Sequence, residues 1–257
     1  GDDIYSVDNV GDMVDESTGS GNDTVYAGVS FVMGAGVDNL ILTGNSDLSG
    51  DGNGGNNYIF GNDGNNRLNG GSGDDVLSGG GGADILDGST GVDAMQGGSG
   101  NDTYVVDRSN DHVDEAAGGG DDVVYASSDF TLTDNVETLI LTGNAQLNGG
   151  GNAGSNQLFG NAGVNVLDGR GGADYLVGAG GDDIFVFRRG EVNGDIIADF
   201  DGNGAGAGDR IAFAGYSSSV TFSQVSATTW QISDNGLVET FTLANGAGID
   251  ASDYYFA

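Results

Sequence analysis

GGSGDDVLSGGGGADILD at residues 70–87, with GGSGNDTYV at 97–105, decides how the rest of the chain reads. Each nine-residue copy has the form G-G-x-G-x-D-x-U-x, where U is a large apolar residue. The glycine-rich first six positions can turn tightly and present backbone carbonyls. The sixth-position Asp supplies a carboxylate, and the last three residues form a short strand with one side chain pointing inward. A single unit of this size cannot bury its apolar face, so the period itself predicts stacking.

Working outward, the nonapeptide texture covers 52–105 and 151–186. Its inward positions are Ile59, Leu68, Leu77, Leu86, Met95 and Tyr104, then Leu158, Leu167, Leu176 and Phe185. Spaced by nine, they predict two apolar stacks inside a roll, with two nonapeptides to a full turn. A larger repeat encloses the small one. Residues 1–86 align without a gap to 100–185 at an offset of 99, eleven nonapeptides. YSVDNVGDMVDE (5–16) matches YVVDRSNDHVDE (104–115), and NLILTGNSDL (39–48) matches TLILTGNAQL (138–147). Between these stretches, short β-rich runs separated by Gly, Asp and Asn turns predict strands in longer rungs.

From about Phe187 the repeat stops. Residues 195–257 contain alternating apolar segments (DIIADF, DRIAFAG, VTFSQV, TTWQISD, ETFTLAN) that predict antiparallel strands. A solenoid needs its exposed end covered, so 1–187 reads as a duplicated roll and 188–257 as its C-terminal β cap, with Trp230 in the cap core. The chain also begins mid-unit. Gly1-Asp2-Asp3 aligns with Gly100-Asn101-Asp102, positions four to six of a nonapeptide, and the expectation is a piece of a longer polypeptide with an upstream domain.

Composition narrows the partners. The 39 acidic residues include only five Glu (16, 115, 137, 191 and 239), which leaves 34 Asp, against six Arg and no Lys, for a formal charge of −33. Asp is the shorter carboxylate and suits turns and tight oxygen cages around a hard cation. Nucleic acid and anionic membrane surfaces reward a basic face, so neither is an expected partner. The 52 glycines are about three times ordinary usage. An acidic, glycine-rich chain is costly to order, and neutralising its carboxylates with a divalent cation should be part of its folding free energy. The calcium-free chain is therefore expected to be largely unfolded. There is no Cys and hence no disulfide framework. No apolar run reaches membrane-span length, and no signal-peptide layout stands at the N-terminus; no membrane insertion is expected. H-E-x-x-H, G-x-S-x-G and P-loop motifs are missing, and acids committed to a cation are poor proton donors, so no intrinsic catalysis is expected.

The nonapeptides GGSGDDVLS, GGGGADILD and GGSGNDTYV resemble the calcium-binding repeats of the RTX family. The resemblance implies an all-β fold, a parallel β-roll or β-solenoid with several Ca2+ ions between its turns, capped here by the antiparallel C-terminal segment. In that family each ion lies between loops one turn apart, bound by carbonyls and by the sixth-position Asp of each loop. Carried over, the stacked pairs are Asp75 with Asp93 and Asp84 with Asp102, with carbonyl positions at Gly70, Ser72, Gly79, Gly81, Gly88, Thr90, Gly97 and Ser99. Mixed pairs follow: Asn57 with Asp75, Asn66 with Asp84, Asn156 with Asp174, and Asn165 with Asp183. Asn keeps an oxygen ligand but loses the charge, which ranks 70–105 as the strongest cluster and 178–183 second. Repeat 88–96 departs from the pattern at Ser89 but keeps Asp93.

A different signal sits at 199–209. Asp199, Asp201, Asn203 and Gly204 match the D-x-D-x-N-G opening of an EF-hand loop, but the twelfth position is Arg210 and strands are expected to flank it. A separate calcium site using Asp199, Asp201 and Asp209 stands against a plain acidic hairpin loop. The recurring carboxylates Asp8, Asp12, Asp15 and Asp23, copied as Asp107, Asp111, Asp114 and Asp122, stand between calcium ligands and surface turns. His112 faces Met13 in the other copy and reads as incidental.

The resemblance further implies a module secreted to the extracellular space or cell surface. It would remain unfolded in a calcium-poor cytosol, pass through the type I secretion machinery and fold on calcium outside, supporting a larger exoprotein. FVF at 185–187 with DIIADF and DRIAF resembles the C-terminal segment of RTX exoproteins, and Asp253-Tyr-Tyr-Phe-Ala resembles the ending that type I systems read. Two alternatives remain open. One is a structural segment of an adhesin, surface layer or filament that self-associates through calcium. The other is a carbohydrate-facing auxiliary module of a polysaccharide-modifying enzyme.

Overall fold

A computed structural model of the chain describes residues 1–202 and 208–257. Among these residues every regular element is a strand, and no helix is long and apolar enough to cross a membrane. The chain divides into two compact units, Gly1–Tyr125 and Ala126–Ala257.

In the first unit the chain winds between two parallel sheets. One carries Ile4–Val7, Thr24–Ala27, Asn39–Leu42, Tyr58–Phe60, Val76–Gly81, Ala94–Ser99 and His112–Asp114, in that spatial order. The other carries Phe31–Val32, Ser49–Asp51, Arg67–Asn69, Ile85–Asp87 and Thr103–Val106. Successive nonapeptides alternate between sheets, and like residues stack every second unit. Ile59 pairs with Leu77, Leu77 with Met95 and Met95 with Val113. Opposite them, Leu68 pairs with Leu86 and Leu86 with Tyr104. All are at most 1 % exposed. A three-residue strand is too short to persist alone; each such stacked side chain contributes about 1.5–3 kcal/mol of burial, and only against its neighbours.

The 99-residue duplication has a geometric consequence. Eleven nonapeptides are an odd number, so a copy re-enters half a turn out of phase. Ile4–Val7 lies in the first sheet of this unit and its counterpart Thr103–Val106 in the second.

The second unit repeats the arrangement. Phe130–Thr131, Leu147–Gly150, Asn165–Asp168, Ile184–Arg188, Arg210–Ala214 and Tyr254–Phe256 form one parallel sheet. In the facing sheet, Leu139, Leu158, Leu176 and Ile197 stack in register. The antiparallel reading of 195–257 needs correction. Ile196–Ile197 pairs parallel with Tyr175–Val177, and Arg210–Ala214 pairs parallel with Ile184–Arg188, so the roll's register continues past Phe187. Antiparallel pairing is confined to Thr221–Gln224, Thr229–Asp234 and Leu237–Leu243, the last of which also pairs parallel with Ile196–Ile197. Alternation reports which face a strand buries, not the direction of its neighbour.

This end of the unit is aromatic. Phe187, Phe222, Phe241, Tyr254 and Phe256 lie around Phe213, and Trp230 is 7 % exposed and stacked on Phe222 at 4.8 Å. Arg189 reaches the buried carboxylate of Asp234 at 2.6 Å. Trp230 is a core residue, as its sequence context predicts.

Candidate metal sites

The sixth position of the nonapeptide is buried although it carries a carboxylate or an amide. Asp75, Asp84, Asp93, Asp102, Asp174 and Asp183 are each 1 % exposed. The cause is register. The sixth residue immediately precedes the strand, so parallel stacking places it against its counterpart one turn away. One oxygen of each Asp serves the backbone. Asp93 Oδ1 accepts the N–H of Asp75 at 2.8 Å, and Asp102 Oδ1 that of Asp84 at 2.7 Å. Asp75 and Asp84 accept from Asn57 and Asn66, both at 2.7 Å. In the second unit Asp174 accepts from Asn156 at 2.8 Å and Asp183 from Asn165 at 2.7 Å. The structure thus brings together every stacked pair that the nonapeptide spacing predicts.

The second oxygen is left over. Oδ2 of Asp75, Asp84, Asp93, Asp102 and Asp174 is buried without a hydrogen-bond partner. Its surroundings are other oxygens: a Cβ on Gly70 would overlap both Asp75 Oδ2 and the Gly88 carbonyl oxygen, and one on Gly79 would overlap Asp84 Oδ2 and the Gly97 carbonyl. A carboxylate oxygen facing a carbonyl oxygen, with no donor between, is satisfied only by a proton or a cation. All-oxygen ligands in a turn suit a hard divalent cation, so these residues fit calcium. The proton alternative shows in the acidities. Burial, reinforced by neighbouring carboxylates, raises Asp75, Asp84 and Asp93 to about 6 and Asp174 and Asp183 to about 7, against the lowering effect of the backbone N–H bonds.

The carbonyl positions divide. The first-position carbonyls of Gly88 and Gly97 face the unpartnered oxygens, as above. At the third position, the carbonyls of Thr90 and Ser99 accept the N–H groups of Gly73 and Gly82. Ser72 and Thr90 form a parallel bridge with their hydroxyls 3.2 Å apart, and Gly81 pairs with Ser99. The third position is therefore occupied in holding one turn on the next. Ser89, the departure in repeat 88–96, takes a left-handed φ of 60°, close to where Gly80 sits at 104° in the neighbouring repeat.

The Asn-bearing loops behave differently. Asn57, Asn66, Asn156 and Asn165 direct Oδ1 to the second-position N–H of their own loop, at 2.7–2.8 Å. The second position is itself Asn in these loops, and its amide spans two carbonyls of the preceding turn. Asn53 Nδ2 donates to Gly34 at 2.9 Å and Val37 at 2.7 Å, and Asn152 Nδ2 donates to Thr133 at 2.7 Å and Val136 at 2.8 Å. Asn62 and Asn161 repeat the pattern. The mixed Asn–Asp pairs are therefore not simply weaker versions of the Asp pairs, because the Asn partner has polar work of its own.

On either side of 199–209, the strands Ile196–Ile197 and Arg210–Ala214 belong to different sheets and do not pair with each other as the arms of a hairpin would. Asp199 accepts the N–H groups of Gly178 at 2.9 Å and Ala179 at 2.8 Å. Asp209 accepts those of Asp183 and Asp201, both at 2.9 Å. Asp199 and Asp209 each commit both oxygens to backbone, and Asp201 is exposed. Asn203 and Gly204 lie outside the described residues. Asp209 instead extends the sixth-position ladder above Asp183.

Three further ladder members lie outside the nonapeptide pattern: Asp111 and Asp122, among the recurring long-rung carboxylates, and Asp195, which the sequence did not single out. Asp111, Asp122 and Asp195 accept the N–H groups of Asp93, Asp102 and Asp174 at 3.2, 2.7 and 3.0 Å. Their separations of 18, 20 and 21 residues from those donors are the signal, blurred by rungs longer than eighteen. Burial raises Asp195 to about 8. Among the other long-rung carboxylates, Asp23 is buried, whereas Asp8, Asp12, Asp15, Asp107 and Asp114 are exposed, as is His112.

A family model for the RTX calcium-binding nonapeptide repeat matches this chain in four copies, at residues 17–29, 51–86, 78–113 and 150–185. The search of curated proteins returned no match.

Proposed function

We propose, from the premise that the repeats of this chain belong to the RTX calcium-binding nonapeptide family and make it a calcium-binding β-roll, that the module folds on calcium outside the cell and so supports the secretion and stability of a larger exoprotein. The observation that carries this reading is the row of buried Asp Oδ2 atoms with no donor in reach. With a net charge of −33 and buried carboxylates stacked turn upon turn, the ionised chain resists folding until cations neutralise it. A low-calcium cytosol then keeps it threadable for a type I secretion channel, and millimolar calcium outside drives folding in one direction.

In this reading the duplicated stretch 1–187 holds the calcium, and 188–257, which continues the parallel register through Ile196–Ile197 and Arg210–Ala214, carries the secretion signal. Several ions lie between the turns, held by Asp75, Asp84, Asp93, Asp102, Asp174 and Asp183 with the first-position carbonyls. The module is non-catalytic, and its partners are calcium, the secretion machinery and an upstream domain. A circular dichroism titration tests it. The chain should gain β signal cooperatively with calcium, and a chain already fully β-structured in excess chelator would sink the reading.

A further inference from the structure

The regular loops end at a residue that breaks their rule. Gly88 follows Asp75 by thirteen residues (75 + 13 = 88), and Gly97 follows Asp84 likewise (84 + 13 = 97). The equivalent position after Asp102 is Glu115 (102 + 13 = 115), one of only five glutamates in the chain. A long side chain with a carboxylate thus enters where the loops after Asp75 and Asp84 present a glycine carbonyl; the same position after Asp93 is Val106.

The structure gathers three acids there. Asp102, Glu115 and Asp122 are 1 %, 6 % and 0 % exposed, and each offers a carboxylate oxygen within 4.8 Å of the other two. Asp102 Oδ1 accepts the N–H of Asp84 at 2.7 Å, and Asp122 Oδ1 accepts that of Asp102 at 2.7 Å. The buried Tyr104 hydroxyl accepts the Gly97 N–H at 2.6 Å and donates to Glu115 Oε1, which fixes the glutamate. Independently of this clustering, Asp102 Oδ2 is fully buried with no hydrogen-bond partner, and it points to this side. A Cβ on Gly97 would overlap both Asp102 Oδ2 and the Tyr104 hydroxyl. The same constellation stands in the other copy: Asp3, Glu16 and Asp23 group within the same limit, Tyr5 donates to Glu16, and Asp23 Oδ1 accepts the Asp3 N–H at 2.8 Å.

We propose that Asp102, Glu115 and Asp122 form a divalent-cation site of their own, with Tyr104 as the residue that positions Glu115. The ligand set is three carboxylates, more charge than an Asp–Asp or Asn–Asp pair supplies, and oxygen-only, which selects calcium over zinc or copper. Its place is where the nonapeptide loops give way to longer rungs. The cation joins a regular loop to a lengthened one, beside the turn-to-turn bonds from Gly100 N–H to the Gly119 carbonyl and from Val123 N–H to the Asp102 carbonyl. The proposal rests on the reading that the roll binds calcium, and adds to it ligands outside the nonapeptide pattern.

The test uses the full chain, with calcium and with terbium as the spectroscopic and anomalous probe. Glu115→Gln should remove one calcium ion per chain by equilibrium dialysis or native mass spectrometry while the β signal in saturating calcium is retained. Tyr104→Phe should keep the ion count but weaken terbium binding at this site roughly tenfold, as loss of a ligand-orienting partner does. An unchanged ion count and unchanged affinities in Glu115→Gln would overturn the proposal. If that variant fails to fold, wild-type crystals grown with terbium decide. An anomalous peak among the three carboxylates supports the site, and peaks confined to the inter-loop Asp positions overturn it. No bound ion anywhere would instead overturn the calcium-dependent reading of the whole module.

Discussion

The loops at 52–69 and those at 70–105 have the same length, stack with the same period and bury the same apolar column, yet they join one turn to the next by opposite means. In the first pair an amide does the work. Asn53 and Asn62 place Nδ2 between two carbonyls of the turn before, while Asn57 and Asn66 accept the loop's own backbone N–H. In the Asp loops the second position is Gly71, Gly80, Ser89 or Gly98, and Asp75, Asp84, Asp93 and Asp102 each keep an unpartnered buried oxygen. An NH2 group donating to two carbonyls occupies the electrostatic role of a small cation, without its charge and without depending on its concentration. The roll therefore contains rungs whose amides are paired and rungs that leave a buried oxygen for a proton or a cation. The second unit repeats the contrast, with Asn152 and Asn161 in one class and Asp174 and Asp183 in the other.

Removing calcium should have the largest effect and should divide the two classes. In excess chelator, hydrogen exchange followed by mass spectrometry should show peptides from 70–105 exchanging as an open chain while those from 39–69 keep residual protection. Uniform exchange across both would break the comparison. Next in size is a single ligand. Asp84→Asn should lower the ion count and raise the calcium concentration at the folding midpoint, because a buried charge that attracts calcium is gone. In chelator the same variant should be no less stable than the parent, since it also removes a buried, unpaired carboxylate. An unshifted calcium midpoint would mean that Asp84 is not a ligand.

Asn152→Ala tests the opposite class. It leaves the Thr133 carbonyl without its Nδ2 donor and takes one of two from Val136, whose carbonyl also accepts Asn156 Nδ2 at 3.1 Å, a cost of about 2 kcal/mol. Urea unfolding in saturating calcium should register that loss, and added calcium should not recover it. Recovery by calcium would show that the amide had merely displaced a metal ion that the site still accepts.

Much of this architecture is legible in the letters. The nine-residue period placed Ile59, Leu77 and Met95 in one column and Leu68, Leu86 and Tyr104 in another, because a stacked rung repeats its inward position. The resemblance to the RTX repeats, carried over on that period, implied which acids meet. Three things were not legible. Ile196–Ile197 and Arg210–Ala214 continue the parallel register without the G-G-x-G-x-D nonapeptide, and apolar alternation is silent about strand direction. Asn at the sixth position read as a weakened calcium ligand and Asn at the second had no reading, because one letter does not tell which end of an amide faces the neighbouring turn. Glu115 stood only as the last letter of the match between 5–16 and 104–115, although its place, thirteen residues after Asp102, marks it once the turn-to-turn geometry is known.

The smallest effect expected is that of pH, and it again separates the classes. Burial raises the folded-state pKa of Asp75, Asp84 and Asp93 to about 6 and of Asp174 and Asp183 to about 7, above about 3.9 for Asp in an unfolded chain. A raised folded value means that the metal-free fold binds more protons than the open chain. Its contribution to stability is complete below about pH 4 and is lost as pH rises through about 6 to 7. In chelator, acidification from pH 8 to 5 should therefore return part of the β signal, and exchange protection should return at 70–105. With calcium present the sign reverses: protons compete for the same oxygens, and the calcium midpoint should rise as pH falls through that window. The loops at 52–69 have Asn at the second and sixth positions and should show neither response of their own. A pH-dependent gain of protection at 52–69 that matched the gain at 70–105 would mean that the two classes fold as one cooperative block, and that the amide-joined rungs do not stand without their neighbours.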